Sequence, residues 1–436
     1  MTEKLANLLA GRWQAGTGAG TALRDPVLGQ ELVRVDATGL DLAAGFDFAR
    51  TTGGAALRAL TYRERATMLA EMVKVLQSQR DAYYAISTAN SGTVKNDTAV
   101  DVDGGIYTLS SYAKLGETLG DRRFLLDGET ARLAKDPLFQ SQHVQVPIHG
   151  LALFINAFNF PSWGLWEKAG PALLSGVPVV IKPATATAWL TQRMVQDIVK
   201  AGVLPAGALS VICGSSAGLM DALKPFDVVS FTGSAQTAGL IRSHPAVAQH
   251  SVRANLEADS LNSAILLPGE APGSPAFELL VKEVVREMTQ KSGQKCTAIR
   301  RIFVPEAAYD AAAEAIAARL AKISVGNPRN DSVRMGSLVS QSQLQAVREG
   351  LAQLQAVTQT LHDGRTQGLV DADPQVASCM APVLLGASDP DAATTVHDTE
   401  VFGPVATLMP VRDAAHATAL ARRGMGSLAC SIYGSD

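Results

Sequence analysis

Apolar positions follow two rhythms along the chain. Phe277, Leu280, Val281, Val284, Val285 and Met288 recur at helical spacing and predict one buried helix face. Met68, Leu69, Met72, Val73 and Leu76 predict a second such helix within 61–90, and 97–119 continues in helical style. Elsewhere apolar residues run together. Gly150–Ile155, Pro178–Pro183, Leu209–Cys213, Asp227–Phe231 and Asn262–Leu267 read as strands, continuous enough to be buried on both faces of a parallel sheet. Helices are expected between them at Trp163–Leu174, Ala188–Ala201 and 235–242. Alternating strands and helices predict an α/β fold with an open parallel sheet. Ligands of such sheets bind at the carboxyl ends of the strands. The loops 156–161, 182–187, 213–218, 231–234 and 256–260 are therefore the ones expected to carry chemistry.

The same pattern divides the chain. Residues 1–130 and 150–268 form one expected domain, opened by a surface strand and turn at Trp13 and 16–20. Gln142–Pro147 alternates polar and apolar like a half-exposed strand, so 131–149 is expected to be an arm that pairs with a partner subunit. His143 and His149 read as ordinary polar strand residues. A Pro/Gly linker at 269–275 marks the boundary to a second α/β domain, 269–436. That domain is expected to hold helices near 306–322 and 340–357 and a last strand at 428–433.

Composition narrows the class. The 436 residues are 47% hydrophobic and 18% charged, with net charge −3 and a pI near 6.2. This balance points away from nucleic-acid and membrane surfaces and towards a small-molecule partner. Cys213, Cys296, Cys379 and Cys430 lie far apart, which argues against a zinc site or a disulfide framework and for a reducing, cytoplasmic setting. The first ten residues lack the apolar core of a secretory signal. No apolar run approaches the ~18 residues of a membrane span.

Cys296 stands out by position. It follows the strongest helix and the breaker Ser292-Gly293, and precedes the expected strand Arg300–Pro305. A loop held by two rigid elements suits a nucleophile, and Lys291 and Lys295 are expected to favour its thiolate. A lone cysteine is otherwise a small buried apolar residue. Asn159, just past the first strand, carries an amide suited to an oxyanion, or is a turn residue before Phe160-Pro161. Lys182 ends the second strand as a point charge for phosphate or ribose, or as a solvated strand end. Phe231-Thr232-Gly233-Ser234 opens a helix whose first N–H groups suit a pyrophosphate, although it is not a GxGxxG fingerprint. Glu257 offers a carboxylate for general-base work, or is an exposed loop acid.

Together these segments resemble the aldehyde dehydrogenase superfamily. The matching motifs are Phe158-Asn159-Phe160-Pro161, Ile181-Lys182-Pro183-Ala184, Phe231-Thr232-Gly233-Ser234, Leu256-Glu257, Gly293-Gln294-Lys295-Cys296-Thr297-Ala298 and Glu400-Val401-Phe402-Gly403-Pro404. Their order covers 140–434. The resemblance implies a Rossmann-type cofactor domain (1–130 and 150–268), a catalytic domain and a small β oligomerisation arm. It implies Cys296 as nucleophile, Asn159 and the Cys296 N–H as oxyanion donors, and Glu257 as the base that hydrolyses a thioester. It implies cofactor contacts from Ile155, Asn156, Ala157, Phe158, Lys182, Pro183, Ala184, Thr185, Gly214, Gly218, Phe231, Thr232, Gly233, Ser234 and Ala258. Glu400 would hold the nicotinamide ribose, with Phe402 beside the ring.

Departures refine these expectations. Many members carry an acid shortly after Lys-Pro. The neutral Thr185 stands there instead, which favours NADP over NAD. Ala258-Asp259-Ser260 replaces a usual Leu-Gly-Gly, and Ala238 a common Gly. The family continues for several tens of residues past a segment like 428–436, adding catalytic-domain structure and an oligomerisation strand. Asn156–Pro161 and Lys291–Cys296 most resemble the branch acting on CoA-linked semialdehydes in aerobic aromatic-ring degradation. A CoA-acylating dehydrogenase and a non-catalytic nucleotide-binding protein on the same scaffold stay open as alternatives. A homodimer or higher homo-oligomer is expected.

Overall fold

Five parallel strands organise the first half of the computed structural model, which describes residues 2–424 and 426–435. Their spatial order is Arg253–Glu257, Val228–Thr232, Ala152–Ile155, Val179–Lys182, Leu209–Val211. Asn7–Leu9 and Arg12–Gln14 extend the last edge antiparallel, making seven strands. The chain runs outward from Ala152–Ile155 in one direction and then returns to its other side with Val228–Thr232. Strand order therefore reverses between these two, the switch point at which open α/β sheets bind ligands. The loops following Ile155 and Thr232 flank that crevice.

A second sheet has six strands in the order Gln359–Asp363, Val383–Gly386, Val405–Val411, Arg301–Pro305, Ser263–Leu266, Cys430–Tyr433. All neighbours are parallel except the first pair. The predicted helix is Pro275–Thr289, started by the Ser274 hydroxyl accepting from Phe277 N–H and by Pro275 in its first turn. Its stripe of Phe277, Leu280, Val281, Val284 and Met288 is buried against Ala264, Ile302 and Val304 of the sheet.

The chain falls into two units. One comprises the residues up to Leu23, Val33–Tyr84 and Ala99–Glu257; the other comprises Arg24–Leu32, Ala85–Thr98 and the chain from Ala258 onward. The division thus follows Glu257, and the segment 269–275 lies inside the second unit.

Three elements differ from expectation. Asn262–Leu267 is not the fifth strand of the first sheet, because Ser263–Leu266 belongs to the second sheet. The fifth strand is Arg253–Glu257, an edge strand largely exposed, so its sequence lacks a continuous apolar run. Glu257 accordingly ends a strand rather than sitting in a loop. The arm is a hairpin of Leu125–Arg132 and Gln140–Gln145, beginning before residue 131. Its first strand is exposed almost throughout and so carries no apolar signature. Among the described residues, no helix is long and apolar enough to cross a membrane, and no cluster of His, Cys, Asp and Glu is arranged to hold a metal.

Candidate active site

In the first unit, strand register brings the site residues to one edge. Ile155 pairs with Lys182, and Thr232 with Glu257. The loop after Ile155 is pinned throughout. Asn156 N–H donates to Lys182 O at 3.1 Å. Thr187 Oγ1 donates to Phe158 O at 3.0 Å and Thr191 Oγ1 to Pro161 O at 2.8 Å. Asp101 accepts from the N–H groups of Ser162 and Trp163, fixing the start of the helix Trp163–Leu174. Asn159 is buried within this loop.

Glu257 stands at the end of a hydrogen-bonded chain. Thr232 Oγ1 donates to Glu257 Oε2 at 3.3 Å, and Lys168 Nζ donates to Thr232 Oγ1 at 2.7 Å. Lys168 also donates to Asn156 Oδ1 at 3.2 Å. Burial lowers the pKa of Lys168, opposed by the carboxylates of Glu167 and Glu257. Burial raises that of Glu167, with Lys168 acting against the shift. The sequence reading missed Lys168. Its signal was present: Glu167-Lys168 is the one charged pair in an otherwise apolar helix.

Lys182 is buried at its strand end, and burial lowers its pKa. Nearby Cys213 is fully buried and pushed up to about 12, an inert structural thiol. Past Pro183 and Ala184 the chain makes a short 3-10 turn, Thr185–Thr187, in which Thr185 Oγ1 donates to Gly214 O at 3.3 Å. Gly214 has φ +134°, and a Cβ there would meet Ala37 N at 2.9 Å. That position therefore requires glycine. Gly218 is also left-handed. Ser234 follows Phe231, Thr232 and Gly233 and caps the helix Ala235–Ser243 by accepting from Thr237 N–H. Ala258 begins the second unit.

In the second unit, Cys296 is partly buried in a loop under backbone strain. Lys291, Ser292 and Gly293 have φ of 52°, 55° and 69°, three consecutive left-handed residues. For the two non-glycines this costs on the order of 1–3 kcal/mol each. Surrounding bonds offset it. Asp97 Oδ2 accepts from Lys291 N–H at 2.9 Å, and Ser292 Oγ donates to Gly336 O at 3.0 Å. Asn262 Nδ2 donates to Cys296 O at 2.8 Å and Ala298 O at 3.0 Å. Burial raises Asp97 to about 6, against the pull of Lys291 and Lys295.

Lys295, one of the two lysines expected to favour the thiolate, is engaged elsewhere. Lys295 Nζ donates to Glu287 Oε1 and Gln290 Oε1, both at 2.7 Å, so its charge is matched within the preceding helix turn. A cation that interacts with the thiol is Arg300, which sequence reading passed over. Burial lowers the Arg300 pKa, and Glu400 and Cys296 pull the other way. Arg300 Nε lies 3.5 Å from Glu400 Oε1, and its guanidinium is 5.4 Å from the Phe402 ring centre. Glu400 Oε2 accepts from Ser260 N–H at 3.0 Å, and burial raises its pKa. Cys296, Glu400 and Phe402, far apart in sequence, are thus gathered around one guanidinium. Asn159 and Glu257 belong to the first unit.

A family model described as the aldehyde dehydrogenase family matches residues 13–436. The 3,4-dehydroadipyl-CoA semialdehyde dehydrogenase of Aromatoleum evansii is 54% identical over 434 residues, 99% of this chain and 84% of that protein. Among solved structures, an NAD-dependent benzaldehyde dehydrogenase from Corynebacterium glutamicum superposes with TM-score 0.85 at 20% identity, covering 99% of this chain and 90% of that one. An NADP-dependent enzyme of E. coli superposes with TM-score 0.83 at 22% identity, covering 100% and 86%.

Proposed function

Because the chain belongs to the aldehyde dehydrogenase family, and so oxidises an aldehyde with NAD(P) as acceptor, we propose that its substrate is a CoA-linked semialdehyde, its cofactor NADP and its product the free acid. The substrate class comes from the relative sharing 54% identity, whose name specifies a CoA-linked semialdehyde. The observation that carries hydrolysis is the chain from Glu257 through Thr232 to Lys168. Thr232, itself held by the Lys168 ammonium, donates to the Glu257 carboxylate and orients it, and that carboxylate is the group that takes the proton from water.

In this reading the Cys296 thiolate adds to the aldehyde carbon, and the carbonyl π electrons move onto oxygen. Asn159 and the Cys296 N–H hold that oxyanion. A bound nicotinamide dinucleotide supplies the hydride acceptor, which leaves an acyl thioester on Cys296. Glu257 then takes a proton from water, hydroxide equivalent adds to the thioester carbon, and the C–S bond breaks to return the thiolate. In a CoA-acylating enzyme a base that activates water would waste the thioester.

The residues fit a dinucleotide. A cation (Lys182) and a glycine that must lack a side chain (Gly214) lie at the strand ends, and the buried Glu400 Oε1, ion-paired with Arg300 at 3.5 Å, accepts no hydrogen bond among the described residues. Neutral Thr185 next to Lys182 supports NADP, since a carboxylate there would repel a 2′-phosphate. We assign the exposed hairpin to self-association. The absence of disulfides among the four cysteines is in keeping with work in the cytoplasm.

The test is reduction of NADP and NAD, followed by absorbance, on free and CoA-linked aldehydes, with and without added CoA. NADP turnover yielding free acid from a CoA-linked semialdehyde is expected. Consumption of added CoA would refute hydrolysis, and NAD preference would refute the Thr185 argument. Cys296→Ala should abolish turnover, and retained turnover would remove Cys296 as nucleophile.

A further inference from the structure

Arg300 makes more connections to the nucleophile loop than any reading of Cys296 as nucleophile requires. Its side chain is 4% exposed. Nη2 donates to Gly293 O at 2.9 Å and to Lys295 O at 3.3 Å. Nη1 donates to Gly403 O at 2.8 Å. Nε faces Glu400 at 3.5 Å, and the cation lies over Phe402. The two loops it joins also touch directly. A Cβ on Gly293 would lie 2.3 Å from Gly403 O, so backbone meets backbone there.

These bonds fix the peptide that carries the reaction. In a trans peptide, the C=O of one residue and the N–H of the next point in opposite directions. Arg300 draws Lys295 O towards itself, so the Cys296 N–H is aimed the other way. Asn262 draws the next carbonyl, Cys296 O, to its own side. Two side chains thereby set both peptide planes flanking the thiol. A planar five-donor fork can grip several carbonyls at fixed angles, as an ammonium cannot.

We propose that Arg300 is a positioning residue: it locks the Lys295–Cys296 peptide, and with it the thiol and oxyanion-donating N–H of Cys296, to the loop bearing Glu400, Phe402 and Gly403. The inference rests on Cys296 being the nucleophile. The charged groups around the guanidinium are Glu400, Glu287 and Cys296 itself. Of these, Glu287 is already engaged by Lys295. Removing Arg300 therefore takes away a positive charge that interacts favourably with the Cys296 thiolate.

The experiment compares full-length wild type with Arg300→Met and Arg300→Lys. Alkylation of Cys296 by iodoacetamide is followed across pH by mass spectrometry of its peptide, and kcat and KM are measured beside it. Arg300→Met should move the alkylation profile to higher pH. It should lower kcat roughly tenfold or more, towards the roughly hundredfold loss seen when an oxyanion donor is removed, with aldehyde KM little changed. Arg300→Lys keeps the charge but not the fork, so it should restore the alkylation profile and not kcat. A folded Arg300→Met protein with the wild-type profile and kcat would overturn the proposal. If Arg300→Met does not fold, wild-type kcat in Arg300→Lys overturns it alone. Alkylation needs no substrate, so a wild type inactive on every aldehyde would refute the proposed function while still testing Arg300.

Discussion

Asp97 shows how one residue couples backbone strain to pH. Its carboxylate accepts from Lys291 N–H, the first of the three left-handed residues before Cys296. Burial nonetheless raises its pKa from 3.8 to about 6. The folded protein thus holds this proton more tightly than the unfolded chain. Its contribution to stability is greatest below 3.8 and declines as pH rises through about 6. Asp97→Asn should flatten the stability slope in that window, measured by denaturant midpoints against pH, and an unchanged slope would remove Asp97 as its source. Thr185 makes a second prediction at this scale. Thr185→Glu should shift preference from NADP towards NAD, read as the ratio of kcat/KM values. An unaltered ratio would separate this position from cofactor choice. Neither Asp97 nor Arg300 was legible from the sequence. Nothing in Lys95-Asn96-Asp97 or Ile299-Arg300-Arg301 signals burial, because burial of a charge is decided by distant neighbours such as Lys291 and Glu400.

Elements were far more legible, and the reason is periodicity. The helix Pro275–Thr289 and the strands Ala152–Ile155, Val179–Lys182 and Val228–Thr232 bury continuous faces or whole strands. Their apolar spacing therefore records their structure. Arg253–Glu257 and Leu125–Arg132 escaped for the converse reason: an exposed edge strand has no apolar face to record. Leu280 shows what the buried stripe contributes. It is fully buried between helix and second sheet. Leu280→Ala should cost about 2–5 kcal/mol, seen as a lowered denaturant midpoint with unchanged m-value. A loss of only a few tenths would mean that the site collapses around the smaller side chain.

At the scale of the molecule, the hairpin is the feature that a lone chain does not explain. Leu138 is 90% exposed, and Phe124, Leu126, Phe139, Val144 and Val146 are exposed with it. Such a concentration of large apolar side chains on and beside one two-stranded element is what supports the proposed self-association. Leu138→Glu with Phe139→Lys should shift the protein to smaller species in sedimentation or light scattering. An unchanged mass would assign self-association to another surface.

The sequence by itself determined the class of fold and the family, because apolar runs and six ordered motifs are local and survive without knowledge of partners. It also supplied Cys296, Glu257 and Asn159 as candidates. Tertiary structure alone decided which sheet Ser263–Leu266 joins, that Lys295 serves Glu287 rather than the thiol, and that Lys168 stands behind Thr232 and Glu257. It also decided that Arg300 sits where the Cys296 and Glu400 loops meet. These are pairings between residues far apart in the chain. Hydrophobic periodicity fixes which face of an element turns inward, but the partner of a buried charge depends on which elements end up side by side.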